Sequence, residues 1–105
     1  MPSLYEPCGL NQMYSMRYGT VPIVRATGGL DDTVQNFDAK TGAGTGFKFG
    51  PYSAGAMLEK LREGLYFYNQ PEAWARIQKN GMAVDNSWSA AGKKYLAFYD
   101  EVLAL

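Results

Sequence analysis

Between Pro22 and Gly50 the chain has only two short apolar runs that suit β-strands, Pro22-Ile23-Val24 and Gly46-Phe47-Lys48-Phe49-Gly50. From Ser53 to the end the pattern is helical. A parallel sheet needs several strands covered on both faces. Two strands with helices around them predict an α/β chain with an incomplete sheet, one part of a doubly wound domain that begins just after one of its strands. Residues 1–52 hold the loops and strands and 53–105 the helices, within a single domain of 105 residues. No internal repeat, low-complexity tract or flexible linker interrupts them.

Local signals set the expected elements. Leu10 to Tyr18 suits a short helix with Leu10, Met13 and Arg17 on one face and Gly19 as its stop. Pro22 suits the start of a strand. Thr27-Gly28-Gly29-Leu30 reads as a turn, and Asp31 and Asp32 as caps for a short helix through Gln35. Phe37 to Gly46, polar and glycine-rich, reads as an exposed loop. Ser53 caps a helix whose Met57, Leu61 and Leu65 recur every fourth residue, with Leu58 and Tyr68 beside that face. Pro71 fits the first turn of the next helix, with Glu72 near its positive end. Trp74 and Ile77 are expected to face inward and Gly81 to end it. Ser87 caps a last helix striped with Trp88, Ala91, Tyr95, Phe98 and Val102.

Composition excludes several functions. Lys+Arg and Asp+Glu both number 10, so a general nucleic-acid or anionic-membrane binder is not expected. The chain has no histidine, which removes a His base, a His metal ligand and a Ser-His-Asp triad. The single cysteine, Cys8, forms no internal disulfide and has no base to make it a nucleophile. No long apolar run suits a membrane span. The segment MPSLYEPCG lacks the basic and apolar regions of a signal peptide, and the expected location is the bacterial cytoplasm.

Glu6-Pro7-Cys8-Gly9-Leu10-Asn11-Gln12 carries the most chemistry. In open α/β sheets, ligands lie beyond the carboxyl ends of strands, beside helix N-termini. Gly9 lets the backbone come close to a ligand. Glu6 suits hydrogen bonds from sugar hydroxyls, or support for positive charge in a sugar-transfer transition state. Taken alone, such a stretch is more often a capped turn than a site. Arg17 reads as a helix-face residue, and Arg25 divides evenly between a local ion pair and a ligand contact. Asp31 and Asp32 fit capping better than metal binding, and the aromatic stripe Trp88, Tyr95, Phe98, Tyr99 fits a core or domain seam better than a glucan platform.

The longer string PSLYEPCGLNQMYSMRYGTVPIVRATGGLDDTV resembles the C-terminal part of bacterial glycogen synthases and plant starch synthases. The resemblance continues through Gly44-Thr45-Gly46-Phe47-Lys48-Phe49 and Asn86-Ser87-Trp88. It implies a GT-B fold, two Rossmann-like domains across a cleft, and retaining transfer of glucose from ADP-glucose to the non-reducing end of an α-1,4-glucan. It implies no metal ion and no cofactor for the transfer. It implies Glu6 as the catalytic-site carboxylate at the donor glucose, and backbone contacts from Cys8, Gly9 and Leu10 to glucose and diphosphate. Asn11 would lie near the diphosphate, although many relatives carry threonine there. The Thr27–Leu30 turn and Asp32-Thr33 belong to the same signature and read as architecture. The family's acceptor groove and diphosphate-clamping basic residues fall outside this sequence, so the chain alone is expected to lack useful transferase activity. Its exposed apolar stripe is expected to favour a homodimer. The alternatives are a non-catalytic sugar-nucleotide or glucan binding module and a relative using UDP-glucose.

Overall fold

A computed structural model describes every residue from Met1 to Leu105. The order is α1 (Asn11–Arg17), β1 (Ile23–Arg25), α2 (Gly28–Thr33), β2 (Phe47–Phe49), α3 (Ala54–Tyr68), α4 (Pro71–Ala83) and α5 (Trp88–Leu103). The two strands are parallel, with Val24 opposite Lys48. The α/β expectation with few parallel strands therefore holds.

A third strand position is already marked beside β1. The Met1 nitrogen donates to the Ile23 carbonyl at 2.8 Å, and the Arg25 N–H donates to the Met1 carbonyl at 3.0 Å. That alternation is the ladder of a parallel pair centred on Met1 and Val24. The stretch from Pro2 to Leu10 thus leaves the carboxyl end of a strand position and enters α1. This is where an open α/β sheet builds its ligand sites.

The core is small, with 15 of 105 residues buried. Val24, Leu30 and Val34 pack together with Met1 against them. Phe47 and Phe49 point inward from β2 on either side of the half-buried Lys48, as the alternation predicts. On the helical side Phe67 stacks on Phe47 at 6.0 Å and meets Phe37 edge-on at 5.0 Å.

Several helices differ from the sequence reading. On α3 the side facing the sheet runs through Met57, Lys60, Gly64 and Phe67. Leu58, Leu61, Leu65 and Tyr68 are exposed. Gly64 decides this. It is the one buried residue of α3, and a β-carbon there would lie 3.1 Å from Ile23 Cδ1, so the helix approaches β1 along its glycine. Helix α4 runs through Gly81 to Ala83. Gly81 packs under Met16, where a β-carbon would meet the Met16 side chain at 3.3 Å. Ile77 is buried as expected and Trp74 half-buried.

Helix α2 begins at Gly28, inside the expected turn, and ends at Thr33. Asp31 lies in its first turn and pairs with Lys48 Nζ at 2.9 Å, so neither it nor Asp32 opens the helix. The end of the expected exposed loop is buried at Gly44, Thr45 and Gly46. Asn80 Nδ2 on α4 donates to the Gly42 and Gly44 carbonyls and pulls that segment in.

Both predicted serine caps form. Ser53 Oγ accepts from the Ala56 N–H at 3.1 Å and Ser87 Oγ from the Ala90 N–H at 3.2 Å. Helix α5 buries no residue. Trp88, Tyr95, Leu96, Phe98, Tyr99, Val102 and Leu103 are all exposed along it. No helix is long and apolar enough to cross a membrane.

Candidate functional site

The loop from Glu6 to Leu10 rests on the start of α2 by backbone alone. The Gly29 N–H donates to the carbonyls of Glu6 and Pro7, both at 3.0 Å. A β-carbon on Gly28 would lie 2.1 Å from the Glu6 carbonyl oxygen, and one on Gly29 would lie 2.1 Å from that of Cys8. Only glycines allow this approach. Gly28 also has φ +47, in the left-handed region. The Gly28-Gly29 pair is therefore the floor on which the loop lies, a closer role than general architecture.

Gly9 has φ +73 and turns the chain from the loop into α1. A β-carbon there would meet Gln12 Oε1 at 2.9 Å and Glu6 Cγ at 3.1 Å. Glu6 is half-buried, and its Oε2 accepts from Ser3 Oγ at 3.2 Å. This leaves most of the carboxylate's acceptor capacity uncommitted. Cys8 and Asn11 are exposed. Leu10, half in the helix as its N-cap residue, makes no side-chain cap and is exposed.

The buried face of α1 is Gln12 and Met16, one turn apart. On the Leu10, Met13, Arg17 side, Leu10 and Arg17 are exposed and Met13 is half-buried. Gln12 closes the stretch that carries the most chemistry, but its residue type alone assigns it no role there. Its Nε2 lies 3.0 Å from the Cys8 carbonyl, 3.0 Å from the Gly9 carbonyl and 3.1 Å from Thr33 Oγ1. The Thr33 hydroxyl in turn donates to the Gly29 carbonyl at 2.6 Å. One network thus ties the loop, α1 and α2 together. The one signal in the sequence is the i,i+4 spacing of Gln12 and Met16.

Arg25 resolves to a structural role. Its guanidinium donates to the Leu4 carbonyl at 2.7 Å, the Ser3 carbonyl at 3.4 Å and the Gly50 carbonyl at 3.1 Å, and lies over the Tyr52 ring. It fastens the segment leading to Glu6 onto the turn after β2.

An open cleft of about 750 Å³ lies beside the loop, between α1 and the start of α5. Cys8 and Leu10 line it with Tyr14, Arg17, Trp88 and Lys94, while Glu6, Gly9 and Asn11 are not among its walls. Asp85 also borders it. Ser87 holds the Asp85 carboxyl below its ordinary value through its hydroxyl and its N–H, the latter donating at 2.9 Å. No group of three or more Cys, Asp or Glu side chains converges anywhere to hold a metal ion.

No family model matches the chain. Individual proteins do. It is 57% identical over 101 residues to the glycogen synthase of Koribacter versatilis, covering 96% of this chain and 21% of that one. It is 49% identical over 105 residues to the glycogen synthase of Thermotoga maritima, covering 99% and 22%. Among solved structures it superposes on the catalytic domain of starch synthase IV from Arabidopsis thaliana, bound to ADP and acarbose. That match has a TM-score of 0.83 and 35% identity and covers 99% of this chain and 22% of that one. The chain spans about a fifth of the length of these relatives.

Proposed function

We propose that this chain, about half identical to one segment of glycogen synthases, forms the donor side of a retaining glucan synthase. Such an enzyme transfers glucose from ADP-glucose to the non-reducing end of an α-1,4-glucan. The observation that carries this reading is the Glu6–Leu10 loop. It follows the strand position marked by Met1 and lies on two obligatory glycines, within a sequence half identical to glycogen synthases over nearly its whole length. The starch synthase it superposes on holds ADP and acarbose, which supports a nucleotide-sugar donor and a glucan acceptor.

In this reading Glu6 lies at the donor glucose. Its carboxylate accepts sugar hydroxyls and stabilises the positive charge that develops at the anomeric carbon, a term that gains strength where water is excluded. The Cys8, Gly9 and Leu10 backbone meets glucose and diphosphate, and Asn11 lies near the diphosphate. Four fifths of the relatives' length is outside this chain, and orienting donor against acceptor needs the whole cleft. The isolated chain is therefore inactive, and the activity belongs to the assembled enzyme in the cytoplasm. Alone, the chain pairs with a second copy through the apolar face of α5, because large exposed apolar surface favours association. Sedimentation giving only monomer across the micromolar range would refute that pairing.

The test of the function is a chimera in which this chain replaces the fifth of the Koribacter versatilis enzyme with which it aligns. Transfer from ADP-glucose to glycogen is expected. A folded chimera that binds glycogen and transfers no glucose overturns the reading.

A further inference from the structure

We propose that Gln12 is a positioning residue for donor binding, a role that rests on the donor-site reading of the loop. Gln12 is fully buried. Two of the three groups around its side-chain nitrogen are carbonyls, which only accept, so the nitrogen must face them. Its two hydrogens serve three acceptors, one of them shared.

The consequence follows from the peptide plane. In a trans peptide the C=O and the next N–H point in opposite directions, and the chain has no cis bond. With the Cys8 carbonyl held inward on Gln12, the Gly9 N–H is turned outward. With the Gly9 carbonyl held inward, the Leu10 N–H is turned outward as well. Neither N–H has a partner within the chain. One buried side chain therefore sets the direction of two successive backbone donors. Thr33 fixes that side chain in turn through its own bond to the Gly29 carbonyl.

Gln12 Oε1 is buried without a partner. A buried unpaired carbonyl is costly. A glutamine here makes poor sense as core filler, since leucine would pack the space without that cost. Orientation of the loop is what the carboxamide adds and leucine cannot.

The experiment has two arms. In the isotope-labelled chain, through-hydrogen-bond couplings are expected from the Gln12 side-chain amide to the Cys8 and Gly9 carbonyl carbons. Their absence in the folded wild-type chain overturns the proposal, even if no variant folds. In Gln12→Leu, the Gly9 and Leu10 amide signals should broaden or split while the Gly29 amide stays protected. Wild-type Gly9 and Leu10 signals in a folded Gln12→Leu chain also overturn it.

The second arm places Gln12→Leu in the active chimera. The Michaelis constant for ADP-glucose should rise about tenfold, the equivalent of one lost hydrogen bond, with that for glycogen unchanged. A merely structural defect would instead lower the active fraction and leave both constants alone. An unchanged donor constant sinks the positioning role. An inactive wild-type chimera tells against the donor-site reading, while the couplings still decide whether Gln12 orients the loop.

Discussion

Gly29 Cα lies so close to Cys8 that a β-carbon on it would sit 2.1 Å from the Cys8 carbonyl oxygen and 2.4 Å from its Cα. Both partners are backbone, so no rotamer change relieves the contact. Gly29→Ala must part the loop from α2 and lose the two bonds that the Gly29 N–H makes. We expect a loss of roughly 3 kcal/mol, the range for overpacking a close contact, read by urea denaturation. Wild-type stability in Gly29→Ala would show that the loop does not lie on this helix.

The two serine caps should behave differently although their geometry is the same. Removing an N-cap costs about 1 kcal/mol. Ser53→Ala weakens α3, which packs on both strands, and should lower global stability by that amount. Helix α5 buries nothing, so Ser87→Ala should reduce helicity in residues 88–92 without moving the main unfolding transition. Circular dichroism and amide exchange separate the two outcomes, and equal shifts in the global midpoint would contradict the peripheral placement of α5.

Asp85 supplies the pH dependence. Its folded carboxyl titrates below the ordinary value near 3.8, first because of the Ser87 hydroxyl and then the Ser87 N–H. A depressed carboxyl stabilises the folded form fully above its unfolded value and loses that contribution as the pH falls through the folded value. The start of α5 should therefore hold above pH ~4 and loosen progressively below it. Carbon-detected titration of Asp85 checks this, and Ser87→Ala should move its midpoint upward. An unshifted midpoint in the wild type would remove the prediction.

The proposed donor-site role of Glu6 can be tested directly. In the chimera, Glu6→Gln keeps size and hydrogen bonding but removes the charge. Loss of one preorganised electrostatic partner costs about 10²- to 10³-fold in turnover. The fall should appear in kcat, with folding and glycogen binding intact. Turnover within about twofold of wild type, far inside that range, would remove Glu6 from the reaction.

The sequence made some of this legible and hid the rest for identifiable reasons. Strand alternation at Phe47-Lys48-Phe49 and the Ser53 and Ser87 caps depend on neighbours in the chain, and they appear as expected. The inward face of α3 does not. Met57, Leu61 and Leu65 suggest one stripe, but the sheet selects the side carrying Gly64 because only there can β1 approach closely. Gly28-Gly29 reads as a turn in isolation and becomes a helix start once the Glu6 and Pro7 carbonyls occupy the Gly29 N–H. The Glu6–Leu10 loop stands out by its residue types. Gln12, whose side chain is bonded to that loop, does not, because its three partners come from Cys8, Gly9 and Thr33, and the last is 21 positions away.

Helix α5 also has a mechanical meaning. Sixteen residues at 1.5 Å each make a rod of about 24 Å, joined to α4 only through Val84–Ser87. A rotation of about 20° at the joint would carry Leu103 through about 8 Å at that rod length, with little rearrangement near Cys8 or Leu10. A rod of that length turns any small change of angle at Val84–Ser87 into a displacement at Leu103 several times larger than the one at Trp88.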